Sequence, residues 1–530
     1  MNTIELVLFL LVAIVICSSF ARRFNVPYPI VLVLVGLMLG LTPGLPHPQL
    51  QPDLVLLLFL PPLVYATSWQ TSIRELRRNW RPILLLALGL VIFTVLGMAT
   101  VASNLVGPLT LPAAFILGSI VSPTDTVAAQ AIVARLDVPR RIVVVLEGES
   151  LINDATGLTT YTFAVAAGTT GAFSPPDAML RFVVVVSGGI GIGLAVGVVA
   201  DWVQERFSDP ATGVTYSLLI PYAVYLPAQA LGVSGVLALV AAGLYAGWRE
   251  PTTLSADARM QAKAVWSTMS FVVNGLIFIL VGLQLRLILD NLKKYPSGEL
   301  VLYALLVVAV VIVVRVVWVF PATYLPRLLS RRVRDDDPYP GWRNVVILAW
   351  TGMRGGVSLA AALALAPTAA LPRSQISLIT FLVFAVILGT LVVQGLTLAP
   401  LIAWLGLADD TTALDEEEAT GRLAAMRAAL QHLDDLVAQN DGDDEGTAVS
   451  EMRRLYQKRA DHLAAHLGGT AEDGAALKDG KDPMHNFRAL QADLLIAQRR
   501  TVIRMRNEGT IGDEALHRIE RTLDLEELRL

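Results

Sequence analysis

Long apolar runs, separated by short polar breaks, fill the chain as far as Leu405, whereas the remainder is dense in Asp, Glu, Arg and Lys. Runs near the ~20 residues that a helix needs to cross a bilayer number about thirteen. They begin near Ile4, Pro29, Asp53, Pro82, Pro112, Arg141, Ala178, Thr215, Val233, Ala264, Leu300, Val345 and Ser374. The pattern predicts an all-α polytopic membrane domain over residues 1–408 and a helical tail over residues 409–530.

Basic residues in the polar breaks fall mainly on one side of the membrane if the N-terminus is placed outside. That side carries Arg22, Arg23, Arg74, Arg77, Arg78, Arg81, Arg135, Arg140, Arg141, Arg206, Arg249, Arg259, Lys263, Arg327, Arg331, Arg332, Arg334 and Arg343. The other side carries Arg181, Arg286, Lys293, Lys294 and Arg373. Because cytoplasmic loops are enriched in Lys and Arg, we expect a multi-pass protein of the cell membrane with a cytoplasmic tail.

Composition supports a lipid environment and argues against several other partners. Hydrophobic residues make up 54% of the chain and charged residues 16%, which is too apolar for a set of soluble domains. The formal net charge of -4 comes with no basic stripe, so no nucleic acid is expected as a partner. Cys17 is the single cysteine and lies in the first apolar run, so no cysteine metal site and no cofactor are expected.

Two apolar runs are interrupted by charge and by helix-breaking residues. The fifth contains Ser122-Pro123-Thr124-Asp125, and the twelfth contains Gly352-Met353-Arg354-Gly355-Gly356. Proline removes a backbone donor, and a charge near the bilayer centre is costly enough to be retained mainly for function. Both helices should therefore be discontinuous near the middle of the membrane.

Breaks at corresponding places in two halves of a membrane protein are typical of transporters with inverted repeats. The first six runs would map onto the last six, with the seventh as a linker, and the two breaks would cross. Asp125 and Arg354 would then balance the partial charges of the half-helix ends. The alternative is that Gly and Pro only kink two ordinary membrane helices.

The sixth run carries the carboxylate that we expect to bind the ion. Asp154 lies about 20 Å along the run at ~1.5 Å per residue, well inside the hydrocarbon. Ser150, Asn153 and Asp154 share one helical face and offer oxygen ligands suited to a hard cation. Asp154 could instead be a satisfied buried acid in a capped or kinked helix.

Glu149 points to a neighbouring face of the sixth run and needs a partner of its own. Arg315, in the eleventh run, is the other charge placed near the middle of the membrane. An ion pair between Glu149 and Arg315 would keep both from being buried alone.

The chain resembles the NhaP and sodium/proton exchanger branch of the monovalent cation/proton antiporters. The resemblance lies in these stretches: Phe59-Leu60-Pro61-Pro62-Leu63, Ser122-Pro123-Thr124-Asp125, Glu147-Gly148-Glu149-Ser150-Leu151-Ile152-Asn153-Asp154, Asn274-Gly275-Leu276-Ile277-Phe278 and Gly352-Met353-Arg354-Gly355-Gly356-Val357-Ser358. It implies a homodimer with about thirteen spans and two crossed discontinuous helices. It also implies that Asp154 binds cation and proton in turn, with Ser150 and the Thr124 backbone as further ligands and Asn153 bracing the site. By the same resemblance, Glu149 and Arg315 form a structural ion pair.

One position departs from the pattern of that family. Many relatives place a Glu after the Pro-Pro of the third span, but here Pro61 and Pro62 are followed by Leu63-Val64-Tyr65 and then Ala66. The number of ion ligands and the ion selectivity are therefore not fixed by the resemblance.

The sequence thus predicts a secondary antiporter, not an enzyme, that exchanges Na⁺, with K⁺ or Li⁺ as alternatives, for H⁺. Because Asn153 cannot titrate, one cation should exchange for one proton without net charge movement. A cation channel would instead need a ring of ligands or a filter. A proton-translocating membrane enzyme subunit would need catalytic groups, yet no His lies in any of the apolar runs.

Overall fold

The structure is a computed structural model that describes most of the chain. The described residues are 3–24, 26–42, 52–125, 129–130, 133, 138–170, 175–207, 209–337, 339–365, 371–406, 412–439 and 447–468, with isolated positions at 498, 500, 501, 504 and 508. Every regular element among them is a helix. The chain divides into two compact units, Met1–Asp409 and Asp410–Leu530. The predicted boundary between residues 408 and 409 falls outside the described residues.

The amino-terminal part of the first unit follows the apolar runs of the sequence. Its helices are α1 (Thr3–Arg23), α2 (Tyr28–Leu41), α3 (Pro52–Gln70), α4 (Ile73–Arg78), α5 (Trp80–Leu84), α6 (Val91–Leu105), α7 (Leu111–Val121) and α8 (Arg140–Thr170). A π-helical turn over Leu85–Leu90 joins α5 to α6. The Trp318 indole N–H donates to the Leu85 carbonyl at 3.0 Å, which satisfies a backbone acceptor in this turn.

The carboxyl-terminal part of the first unit is built in the same way. Its helices are α9 (Pro175–Gln204), α10 (Pro210–Ala230), α11 (Gly235–Thr253), α12 (Ala256–Leu283), α13 (Leu285–Asp290), α14 (Ser297–Leu329), α15 (Arg331–Asp336), α16 (Trp342–Trp350), α17 (Gly356–Leu363) and α18 (Arg373–Leu405). A helix therefore lies at every position where the sequence predicts a span.

Six of the described helical segments are long and apolar enough to cross a membrane by length and composition. They are Glu5–Arg23, Trp80–Leu105, Met179–Gln204, Asp257–Asp290, Ser297–Leu329 and Arg373–Leu405. Large apolar side chains on α1 and α9 are exposed, among them Ile16 at 63% and Leu180 at 67%. Such faces are stable against lipid, so the unit is an all-α multi-pass membrane protein.

Glycines bring two pairs of helices into backbone contact. A Cβ at Gly36 of α2 would meet the Ile279 carbonyl of α12, and one at Gly247 of α11 would meet the Trp69 carbonyl of α3. In the predicted inverted repeat, α2 corresponds to α11 and α3 to α12, so the two contacts are equivalent. Small residues allow this close approach of backbones in membrane helices.

The seventh apolar run, helix α9, packs on α11 of the same chain through its small residues. A Cβ at Gly189 would meet the Ser234 carbonyl, and one at Gly193 would meet the Ala238 carbonyl of α11. The regular glycine spacing in α9 thus serves a helix contact within one chain.

The second unit contains two described helices, α19 (Thr412–Gln439) and α20 (Thr447–Gly468). They contact each other, with Leu423 and Ala460 buried and an ion pair between Asp434 and Arg453 at 2.8 Å. The helical stretch predicted after Asn486 lies outside the described residues, apart from isolated positions.

Candidate ion-binding site

The first break follows α7 directly, at the position that the sequence predicts. Helix α7 ends at Val121, and residues Ser122 to Asp125 are not helical. Pro123 cannot donate a backbone hydrogen bond, and the Ser122 hydroxyl donates to the Ser119 carbonyl at 3.0 Å. Ala129 and Gln130 are helical again, but most of the second half of this run lies outside the described residues.

The second break separates α16 from α17. Residues Thr351 to Gly355 are not helical, and the Thr351 hydroxyl donates to the Ile347 carbonyl at the end of α16. A Cβ at Gly352 would meet the Arg315 side chain, and a Cβ at Gly356 would meet Ile277. The glycines are therefore needed because other helices pack directly on this backbone.

The two breaks cross and are joined by hydrogen bonds. The Asp125 N–H donates to the Met353 carbonyl at 2.8 Å. Arg354, which is fully buried, donates through Nε to the Val121 carbonyl at 2.8 Å and through its backbone N–H to the Thr390 hydroxyl at 3.1 Å. A cation therefore lies at the carboxyl end of α7, where the helix dipole is negative.

Asp125 takes the complementary position at the start of α17. Its carboxylate lies against Gly355, the N-cap residue of α17, where a Cβ would collide with its oxygen. An acid at the positive end of a helix is stabilised by the helix dipole. Asp125 and Arg354 thus lie at helix ends of opposite sign.

Asp154 lies on a cavity of about 70 Å³ next to this crossing. The cavity is lined by Leu60, Leu63, Val64, Thr67, Pro123, Thr124, Asp125, Ser150, Leu151, Asp154, Asn274, Ile277, Gly355, Gly356, Val357 and Ser358. Asp154 has no hydrogen bond and no ion pair to any described residue. Its carboxylate is therefore available to a proton or a cation in the cavity.

Glu149 and Arg315 form a buried, bidentate ion pair behind Asp154. Arg315 donates to the two Glu149 oxygens at 2.5 and 2.9 Å, and the two side chains are 0% and 1% exposed. Arg315 also donates to the Leu348 carbonyl of α16 at 3.1 Å. The pair therefore connects α8, α14 and α16 beside the second break.

A short chain of hydrogen bonds links this ion pair to the first break. The Thr124 hydroxyl donates to Glu149 at 2.9 Å and accepts from the Asn153 amide at 2.6 Å. The Ser150 hydroxyl donates to the Thr124 carbonyl at 3.1 Å. Thr124 is thereby held from three sides.

Asn153 is not among the residues that line the cavity, although Ser150, Thr124 and Asp154 are. The helical period places Asn153 among the possible ion ligands, and the resemblance gives it a bracing role. In the structure its amide donates to the Thr124 hydroxyl, and the residue is 1% exposed.

Three polar residues on the cavity are absent from the predicted site: Thr67 of α3, Asn274 of α12 and Ser358 of α17. Asn274 and Ser358 occur in stretches that carry the family resemblance, which is the signal that could have found them. Ala66, which stands near the position of the expected Glu, is 2% exposed and does not line the cavity.

Comparison with known proteins identifies relatives of the chain. The family model described as sodium/hydrogen exchanger, transmembrane, matches residues 7–404. An uncharacterised Na⁺/H⁺ exchanger of Mycobacterium tuberculosis is 36% identical over 98% of this chain and 95% of the relative. A sodium, potassium, lithium and rubidium/H⁺ antiporter of Bacillus pumilus is 32% identical over 81% of this chain and 66% of the relative.

The fold is also similar to a solved structure, that of the sodium proton antiporter MjNhaP1 from Methanocaldococcus jannaschii. The TM-score is 0.60 at 18% sequence identity, and the match covers 76% of this chain and 99% of the other.

Proposed function

Because the chain belongs to the sodium/hydrogen exchanger family, and is thus a cation/proton antiporter, we propose that it exchanges one Na⁺ for one H⁺ by alternating access around Asp154. The observation that carries this proposal is the position of Asp154. It is an acid with no hydrogen-bond or ion-pair partner among the described residues, and it lies on a cavity at the crossing of two broken helices. An unpaired acid inside a membrane protein marks an ion or proton path.

Asp154 can serve both ions in turn because a carboxylate removed from water is most stable when its charge is neutralised. A bound proton neutralises it, and so does a bound monovalent cation. The two ions therefore compete for the same group. Exchange follows if the protein changes between its inward-open and outward-open states only when Asp154 is neutralised.

The remaining charges near the cavity are proposed to be structural. Glu149 is held by two hydrogen bonds from Arg315, and Arg354 is held by the Val121 carbonyl. Releasing any of these groups would leave a buried charge without a partner, which is costly. Asp154 then remains the carrier, with Ser150 and the Thr124 carbonyl as further ligands.

Sodium is the proposed cation, with potassium and lithium as alternatives. The name of the M. tuberculosis relative specifies sodium, whereas that of the B. pumilus relative also includes potassium, lithium and rubidium. The cavity offers carboxylate, hydroxyl and carbonyl oxygens, which suit any of these hard cations.

We further propose a homodimer in the cell membrane with about thirteen spans, an external N-terminus and a cytoplasmic tail. The excess of basic residues in alternate polar breaks supports this orientation. The exposed apolar faces of α1 and α9 support contact with lipid or with a second copy.

A cation channel is disfavoured, since a channel filter needs equivalent ligands around a pore, whereas the described wall of this cavity brings different groups, among them Asp154, Ser150 and Asn274, from different helices. A proton-translocating enzyme subunit would need a catalytic group or a metal. Among the described residues, no group of three or more His, Cys, Asp or Glu side chains is placed to hold a metal ion.

Acridine-dye fluorescence in energised inside-out vesicles tests the proposal. Recovery of fluorescence on adding sodium, potassium or lithium measures cation-driven proton movement and ranks the three cations. Asp154→Asn should abolish recovery, whereas Asp177→Asn, an exposed acid at the start of α9, should leave it unchanged. Undiminished sodium-dependent recovery in Asp154→Asn would refute the assignment.

A further inference from the structure

The ligands proposed so far come from two places and leave the shell of a bound cation incomplete. Asp154 and Ser150 lie on α8 and the Thr124 carbonyl lies in the break after α7, whereas Asn153 lies behind the cavity. Ala66 contributes no polar group from α3. Because a hard cation is held by several oxygen ligands at once, further ligands are expected from the other walls.

Asn274 is the polar side chain that best meets this requirement. It lies within α12 between apolar neighbours, is 8% exposed and lines the same cavity as Asp154. It has no hydrogen bond to any described residue. Its amide atoms are not fully closed off by protein, so the amide is available to a ligand in the cavity.

Ser358 is a second polar group with the same properties. It lies on α17, is 3% exposed, lines the cavity and has no side-chain hydrogen bond to any described residue. Asn274 and Ser358 therefore bring an amide oxygen and a hydroxyl oxygen to the cavity from two helices that carry no predicted ligand.

We propose that Asn274, together with Ser358, supplies neutral oxygen ligands to the transported cation and completes the shell that Asp154 anchors. This inference rests on the proposed exchange at Asp154. Both side chains lie on the wall of the same cavity of about 70 Å³ as Asp154, so their oxygens can replace waters of the hydration shell of a cation bound there.

Neutral ligands also preserve the charge of the loaded site. An amide or hydroxyl adds affinity for the cation without adding a group that can titrate. Replacing Asn274 with a carboxylate would add a negative charge beside Asp154. Exchange by Asn274→Asp is therefore expected to respond to membrane potential, whereas exchange by the native protein is not.

The test measures sodium KM and maximal rate in proteoliposomes with an imposed pH gradient. Asn274→Ala is expected to raise KM about tenfold, as for the loss of one good ligand, while the maximal rate stays within about twofold. Ser358→Ala is expected to raise KM by a smaller factor. The matched control is Thr268→Ala, an exposed hydroxyl on α12 that bonds only its own helix at Ala264.

Sodium-dependent stabilisation of the detergent-solubilised protein provides a readout that does not depend on transport. Sodium should raise the Tm of the native protein and of Thr268→Ala, and should raise that of Asn274→Ala less at equal concentration. If Asn274→Ala fails to fold, Asn274→Ser, which keeps one oxygen, is compared with the native protein instead. Its sodium KM should be raised by less than the tenfold expected for Asn274→Ala.

The outcomes separate this inference from the function on which it rests. No cation-driven proton movement in the native protein would overturn the proposed function. Native exchange together with an unchanged KM and unchanged sodium stabilisation in Asn274→Ala would overturn only the ligand assignment. A lower maximal rate at unchanged KM would also overturn it, since that pattern indicates a structural position.

Discussion

The Asp125 N–H donates to the Met353 carbonyl at 2.8 Å, so the two broken helices are joined backbone to backbone where they cross. No side chain is needed for this bond, and it brings the Asp125 carboxylate against Gly355 at the start of α17. The position of Asp125 relative to that helix end therefore depends on the absence of a side chain at residue 355.

Gly355→Ala should impair exchange because the added methyl group would collide with the Asp125 carboxylate. Overpacking of this kind costs about 1–3 kcal/mol, so a lower Tm and a strongly reduced rate in proteoliposomes are expected. Gly341→Ala is the matched control, since a Cβ there would have nothing within 4 Å. Equal activity of the two variants would show that the crossing tolerates a side chain.

Glu149→Ala and Arg315→Ala should each destabilise the fold more than Asp154→Asn does. Removing one member of a buried pair leaves an uncompensated charge, at a cost of about 3–5 kcal/mol. The double variant Glu149→Ala/Arg315→Ala should cost less than the sum of the single changes, because neither charge remains. Thermal unfolding in detergent measures this, and additive losses would argue against the pair as a stabilising unit.

A chain that ends at Asp409 should still fold and exchange. The cavity and both breaks lie within the unit Met1–Asp409, so all the ligands that we propose come from that unit. The truncated protein should show an altered rate or pH response in the acridine assay. Complete loss of exchange in a well-expressed truncation would mean that the second unit is part of the transport machinery.

Exchange should be electroneutral, since Asp154 is neutral with either ion and Asn153 cannot titrate. The test sets opposing sodium and pH gradients of equal size, with the potential clamped by valinomycin and potassium. Net flux should vanish at that balance at every voltage, once potassium has been shown not to be a substrate. A balance point that moves with voltage would mean more than one proton per cation.

Apparent sodium affinity should also weaken as pH falls, because protons compete for Asp154.

Much of the fold could be predicted from the sequence because each long apolar run predicts a membrane helix. Asp125, Arg354, Glu149 and Arg315 could be singled out because charge is rare in such runs. Proline and glycine beside two of these charges located the breaks. That the two breaks cross could be inferred from the correspondence between the first six and the last six apolar runs.

The further ligands that we propose, on α12 and α17, could not be predicted in the same way. Asn274 and Ser358 are neutral and occur among apolar neighbours, so no charge distinguishes them from polar residues that bond their own helix, such as Thr268. The direction of Asn153 was also open, since the helical period places it beside Asp154 while Thr124, from another helix, decides where its amide points. Such choices depend on contacts between helices that periodicity does not encode.

The paired glycine contacts have a mechanical consequence. Helices α2 and α12 touch backbone to backbone, as do α11 and α3, and α12 also packs on α3. Sliding along such seams would drive carbonyl groups into one another, so these helices resist shear and act as a stiff frame. Helices α3 and α12 present one wall of the Asp154 cavity from this frame, whereas α8, α17 and the break that follows α7 present the others. We therefore expect the movement that opens the site to either side of the membrane to take place where these two sets of helices meet.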